Sequence, residues 1–196
     1  MTSAYLRGQE LVDAIQSSSY SRDLIGYHGQ VPDAQWPNQA KIAVQFVLNY
    51  EEGGENHVEH GDLGSEQFLS EIVGAASFNA KHMSMDSMYE YGSRAGFWRI
   101  HQEFQKRCLP MTIFGVGMAL ARNPYVVEAI QQAHYDVVSH GQRWLHYQHI
   151  DIDTERQHMD QAISVLEALF GKTPIGWYTG RDSPNTRQLL TEFPQI

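Results

Sequence analysis

Apolar and polar positions along the chain alternate between two periods. Lys41 to Glu51 reads Lys-Ile-Ala-Val-Gln-Phe-Val-Leu-Asn-Tyr-Glu, with apolar side chains on both faces apart from Gln45. That pattern predicts a strand covered on both sides in a parallel sheet. Met111 to Val116, Asp136 to Ser139 and Ile175 to Thr179 are shorter runs of the same kind. Between them the period lengthens. Thr154-Glu155-Arg156-Gln157 has the form of a capping box, and Met159, Ala162, Ile163, Leu166, Leu169 and Phe170 recur at helical spacing until Gly171. Asn123-Pro124 opens a helix toward His134, and Arg94 to Arg107 forms another with Phe97, Ile100 and Phe104 on one face. Ser183-Pro184 starts a last helix, with an N-cap followed by proline at the first position.

Strands alternating with helices imply βαβ units and an α/β fold with a parallel sheet or barrel. In such folds chemistry gathers at strand C-termini. The residues there are polar: Asn49, Glu51 and Glu52 after the first strand, His140 after the third, Arg181 after the fourth. The pattern predicts that Glu51, His140 and Arg181 converge on one face.

Composition narrows the function classes. The 14 Lys and Arg against 23 Asp and Glu give a formal net charge of −9, which argues against a nucleic-acid partner. The longest stretch without a polar side chain, Ile113 to Ala121, is less than half of the roughly 20 residues that span a bilayer, so no membrane association is expected. Arg7, Glu10 and Asp13 interrupt what would be the apolar core of a signal peptide, which points to a cytoplasmic address. The single Cys108 excludes an internal disulfide framework and reads as an inert thiol at a helix end.

Asn49-Tyr50-Glu51-Glu52-Gly53-Gly54-Glu55 sets two adjacent carboxylates at a strand end before a sharp turn. By spacing alone it reads as a solvated acidic loop. As a site, period two puts Glu51 on the inward face with Asn49, where partial desolvation suits a general base. His140, beside Gly141, supplies an imidazole at a second strand end, and Arg181 a fixed cation at a third, with a surface Arg181–Asp182 pair as its plainer reading. The other histidines form no close metal pair on a helix face, and His57-Val58-Glu59-His60 is only a weak metal signal.

Taken together, Arg22 to Tyr27, Val44 to Asn56, Tyr89 to Gly96 and Gly176 to Arg181 resemble signature stretches of the polysaccharide deacetylase superfamily, and most closely its cofactor-independent allantoinase branch. The likeness runs from about Tyr20 to about Glu192. It divides the chain into an N-terminal extension, 1–19, and an incomplete barrel domain, 20–196. The resemblance implies a distorted (β/α) barrel in which an aromatic-Asp-Asp motif supplies a base and a metal ligand and a His-x-x-x-His motif completes the metal site. Tyr50-Glu51-Glu52 stands in the first motif, while the second has His140 but Trp144. Metal-free hydrolysis is therefore expected, with no metal and no other cofactor. The branch implies opening of the hydantoin ring of allantoin to allantoate, with Glu51 and His140 catalytic and Asn49, Glu52, Trp144, Tyr178 and Arg181 binding a small-molecule substrate.

Three departures accompany the likeness. His134 occupies a helix-closing place where the family usually has glycine, and Gln142 and His146 replace an aromatic and an acidic residue. The family continues beyond Ile196 through further strands and helices that carry a general-acid histidine, so the chain reads as truncated, with about four strands and an open edge suited to pairing with a second copy. A metal-dependent deacetylase of N-acetyl sugars and an inactive fragment acting as an oligomerisation partner are the competing expectations.

Overall fold

A computed structural model describes residues 5–70 and 74–196. The chain divides into two compact units, Met1–Ala43 and Val44–Ile196, whereas the sequence reading drew its boundary after residue 19. The first unit contains helix α1, Gly8–Ser17, none of whose residues is buried, and a single 3-10 turn at Pro37–Gln39. No helix was expected there, and the start of the strand predicted from Lys41 falls at its end.

The second unit is α/β, as expected. Three parallel strands, β1 (Val47–Tyr50), β2 (Thr112–Gly115) and β3 (Asp136–Ser139), lie in the order β1-β2-β3, with Tyr50 opposite Gly115 and Gly115 opposite Ser139. All three strands therefore end at one level. The strand predicted over Lys41–Glu51 is shortened to four residues, matching the four of β2, its partner, which starts at Thr112 just after Pro110, a residue without an N–H for the ladder. The segment 175–179 runs parallel beside β3, with backbone bonds Ile175 N to Val137 O, Ser139 N to Gly176 O and Tyr178 N to Ser139 O, but it forms a single bridge, Ser139 with Trp177, rather than a strand.

Helices α2 (Met83–Tyr91), α3 (Phe97–Lys106), α4 (Gly117–Arg122), α5 (Pro124–Gln132), α6 (Ile152–Phe170) and α7 (Thr186–Leu190) complete the unit. Ile113, Val116, Leu120, Val126, Ile130, Val137 and Leu166 form its core with Tyr50 and Phe97. Asn123 caps α5 by accepting from Val126 N, with Pro124 at the first position, as its sequence predicts. Gly171 ends α6 in the left-handed region at φ 69°.

Several local expectations are corrected. The N-cap of α6 is Asp151, which accepts from Thr154 N at 3.0 Å and from the Thr154 hydroxyl at 2.6 Å, so Thr154 lies inside the first turn. Ser183 does not cap α7, which begins at Thr186: its hydroxyl donates to the buried Glu155 at 2.6 Å. The helix expected over Arg94–Arg107 begins as a π-helical turn, Gly92–Gly96, that continues into α3. Ile100 is 38% exposed, and His101 takes its place against Phe97 in a stacked contact of 5.7 Å. His134 does adopt the left-handed conformation, at φ 55°. No helix among the described residues is long and apolar enough to cross a membrane.

Candidate active site

The site begins where β1 and β3 end. Glu51 follows β1 directly, and its Oε1 lies 2.9 Å from Nε2 of His140, the residue after β3. His140 has its side chain 2% exposed, and its Nδ1 meets the Tyr178 carbonyl at 2.8 Å. A carbonyl has no proton to give, so Nδ1 carries hydrogen and donates. The close Nε2–Oε1 contact therefore requires one further proton shared between His140 and Glu51. Asn49 Nδ2 also donates to Oε1, at 3.1 Å, which turns the carboxylate toward the imidazole. The arrangement can accept a proton from one group and deliver it to another.

Glu52 lies in the turn after β1 and, unlike Glu51, does not reach His140. Its Oε2 accepts from Glu51 N at 3.0 Å, and its carboxylate lies so close to Gly92 that a β-carbon there would overlap it. Burial pushes its carboxyl above the usual range, against the bonds from the Glu52 and Glu51 amides, and the nearby Glu51 and Glu55 charges add to the rise. Tyr50, between core and site, is pushed up to about 12 by burial and by the Glu52 charge, partly offset by a bond from Asn123.

A cavity of about 380 Å³ opens beside these carboxylates, lined by Asn49, Glu51, Glu52, Tyr89 and Trp144, with Phe68, Leu69 and Met88 as its apolar part. Arg181 lies against the Trp144 indole, its guanidinium carbon 3.5 Å from the ring centre, and donates to Glu66 Oε2 at 3.0 Å. Glu66 is 8% exposed, and its other oxygen accepts from the Gln67 and Phe68 amides. Burial would raise its carboxyl, but the Arg181 bond and charge and the two amides bring it below the ordinary value. Tyr178 packs at a tilt against Phe114, ring centres 4.6 Å apart, and holds His140 through its carbonyl; its ring does not line the cavity.

A polysaccharide deacetylase family model matches residues 79–192. The chain belongs to the polysaccharide deacetylase family. A Schizosaccharomyces pombe protein provisionally named a polysaccharide deacetylase is 42% identical over 177 residues, 88% of this chain and 55% of its own length. Among solved structures, PuuE allantoinase matches with TM-score 0.85 and 51% identity over 91% of this chain and 60% of that one. A protein from Pseudomonas aeruginosa provisionally named a polysaccharide deacetylase matches with TM-score 0.85 and 52% identity over 90% and 59%. The chain thus spans less than two thirds of each of these relatives.

The donor set fits the family's divalent ion poorly. Trp144 stands where the second imidazole is expected, and indole offers an N–H donor but no lone pair for a metal. Both nitrogens of His140 are engaged, one by Tyr178 and one by Glu51. Glu52 is turned onto the Glu51 amide and against Gly92. Among the described residues no group of three His, Cys, Asp or Glu side chains is placed to hold a metal ion.

The structure brings Asn49, Glu51, Glu52, His140 and Trp144 together and adds Arg181 through its stack on Trp144. Sequence reasoning missed Glu66, Phe68 and the side chain of Tyr89. Glu66 meets Arg181 across 115 residues from a loop without periodicity. Phe68 packs edge-on against Trp144 at 5.6 Å, and nothing in the sequence pattern marks it.

Proposed function

We propose that this polysaccharide deacetylase family chain is the part of a hydrolase that opens a cyclic amide C–N bond in the manner of an allantoinase, converting allantoin to allantoate without a metal. The observation that carries this reading is the Glu51–His140 contact of 2.9 Å, a proton-transfer pair standing where a metal site would need two imidazoles. The similarity to PuuE allantoinase over 91% of the chain supports it.

In this mechanism Glu51 takes a proton from water as its oxygen adds to the ring carbonyl. The C–O bond forms, the carbonyl electron pair moves onto oxygen, and collapse breaks the C–N bond. His140 Nε2 returns the proton to the departing nitrogen, so that water is consumed and one carboxyl and one N–H are produced. Trp144, with Arg181 behind it, offers a flat face to the planar ring, and Asn49 and Glu52 meet its polar edge.

The test is allantoate formation by the protein with and without EDTA. Turnover of allantoin that survives the chelator is expected. A second reading, deacetylation of an N-acetyl sugar, has the family model over residues 79–192 in its favour. Acetate release from N-acetylglucosamine oligomers, lost in EDTA and restored by zinc, would establish it instead.

A further inference from the structure

Four tyrosines of the described residues are buried: Tyr50, Tyr89, Tyr135 and Tyr147. Three have satisfied hydroxyls: Tyr50 with Asn123 at 3.0 Å, Tyr135 with Gln105 at 3.0 Å, and Tyr147 with His158 at 2.9 Å. Tyr89 is 9% exposed, and its hydroxyl has no hydrogen-bond partner among the described residues. Burying a hydroxyl unpaired costs about 1–3 kcal/mol, while phenylalanine would fill nearly the same space at no such cost. An orphaned donor of this kind asks for a partner beyond the described residues.

Its position says where that partner would sit. Residues three apart share a helix face, and Gly92, three beyond Tyr89, is pressed against the Glu52 carboxylate. The π-helical turn Gly92–Gly96 begins directly after α2, and such turns recur at functional sites. Among the described residues, the Tyr89 hydroxyl is the one buried side-chain polar atom without a partner that belongs to a residue lining the cavity formed by Glu51 and Trp144. Tyr89 also borders the neighbouring cavity that contains His57 and Asp86. Geometry favours the first: in the second, His57 Nε2 and Asp86 Oδ1 already pair with each other at 3.2 Å, whereas the Trp144 cavity joins Tyr89 to Asn49 and Glu51 of the proton-transfer pair. Burial and the carboxylates hold its proton far above the ordinary phenol range, so the group is a donor.

We infer that the Tyr89 hydroxyl is a substrate-binding donor of this site, giving its hydrogen bond to a carbonyl oxygen of the amide ligand in the Trp144 cavity. The inference rests on the reading that the cavity takes an amide, and it adds a recognition element to that reading. A site built to bond a carbonyl loses affinity steeply when its donor is removed, because the ligand oxygen is then desolvated without compensation.

Tyr89→Phe separates a binding role from a structural one. Without ligand, its melting temperature is expected to equal or exceed that of the wild type, since no intramolecular bond is lost. Calorimetric titration with allantoin, and separately with an N-acetylglucosamine oligomer, is expected to show affinity for one probe reduced about tenfold or more. Equal affinity of the two proteins for allantoin overturns the donor role while leaving the allantoinase reading intact. Wild-type binding of the N-acetyl sugar alone, weakened by Tyr89→Phe, supports the donor and removes allantoin as the substrate. A lowered melting temperature with unchanged affinity marks the hydroxyl as structural, and binding of neither probe overturns both readings. If Tyr89→Phe does not fold, 3-fluorotyrosine at position 89 keeps the hydroxyl. Its fluorine resonance is expected to shift on adding the bound probe, and a resonance unmoved at saturation overturns the inference.

Discussion

Glu51 Oε1 and His140 Nε2 stand 2.9 Å apart although 89 residues separate them in the chain. The contact exists because β1 and β3 flank β2 in register and end together, so the residue after each strand arrives at the same level. Four residues of pairing on either side of β2 are enough to set the distance.

Glu51→Gln keeps the shape of the side chain and removes its proton acceptor. In allantoin hydrolysis kcat is expected to fall by about 10² to 10⁴, with binding retained. Glu52→Gln is expected to act mainly on KM, because its contacts already exist in the ground state. Steady-state kinetics on the two variants check the assignment: a larger kcat loss in Glu52→Gln would exchange the roles, and small equal effects would reject them.

Glu52 and Glu66 predict opposite pH dependences of stability. Glu66 has a depressed carboxyl in the folded state, so its contribution is fully present above its ordinary value of 4.5 and is lost as pH falls through the lower folded value. Thermal unfolding of Glu66→Gln should therefore show a deficit at neutral pH that shrinks in acid below 4.5.

Glu52 has a raised carboxyl, so the folded chain loses stability as pH rises from the ordinary value of 4.5 through the folded one. Glu52→Gln is neutral at every pH and can still accept from the Glu51 amide. A higher melting temperature than wild type at neutral pH is expected, disappearing below pH 4.5. A deficit at neutral pH would show that the charge is held by more than its burial suggests.

His134 sits exposed at φ 55°, a conformation that costs a side chain roughly 1–2 kcal/mol and glycine almost nothing. His134→Gly should stabilise by about 1 kcal/mol, after glycine's own entropy loss, a rise of about 2–4 °C in a domain of this size. Differential scanning calorimetry reads this directly, and an unchanged or lower melting temperature would refute it.

How much of this was legible beforehand depends on the range of the interaction concerned. Asp136–Ser139, the Asn123-Pro124 start and the Gly171 stop follow from local chemistry and stand where the sequence put them. The strand-end rule brought out Glu51 and His140 because the polar residue closing an apolar run is visible in a single chain. Helix α2 escaped because it buries only Met85 and Tyr89, too narrow a stripe to announce a period. Glu66 escaped because a buried acid in a loop cannot be told from a solvated one until Arg181 is placed beside it. The Thr154 capping box misled for the converse reason: Asp151, three residues earlier, was a stronger acceptor for the same amide.

The loops that carry the site are joined to one another by main chain. Trp144 N donates to Gly54 O at 2.9 Å, His140 N to Gly115 O at 2.9 Å, and Gly117 N to Gly141 O at 2.9 Å. Position 144 is thus anchored by its amide, whichever side chain it bears. An imidazole could be exchanged there for an indole without the loop having to find a new course; on the proposed reading, that exchange would turn the place of a metal ligand into a platform for a flat ring. The frame's indifference to its own side chains gives this architecture a short mutational path from one hydrolytic chemistry to another.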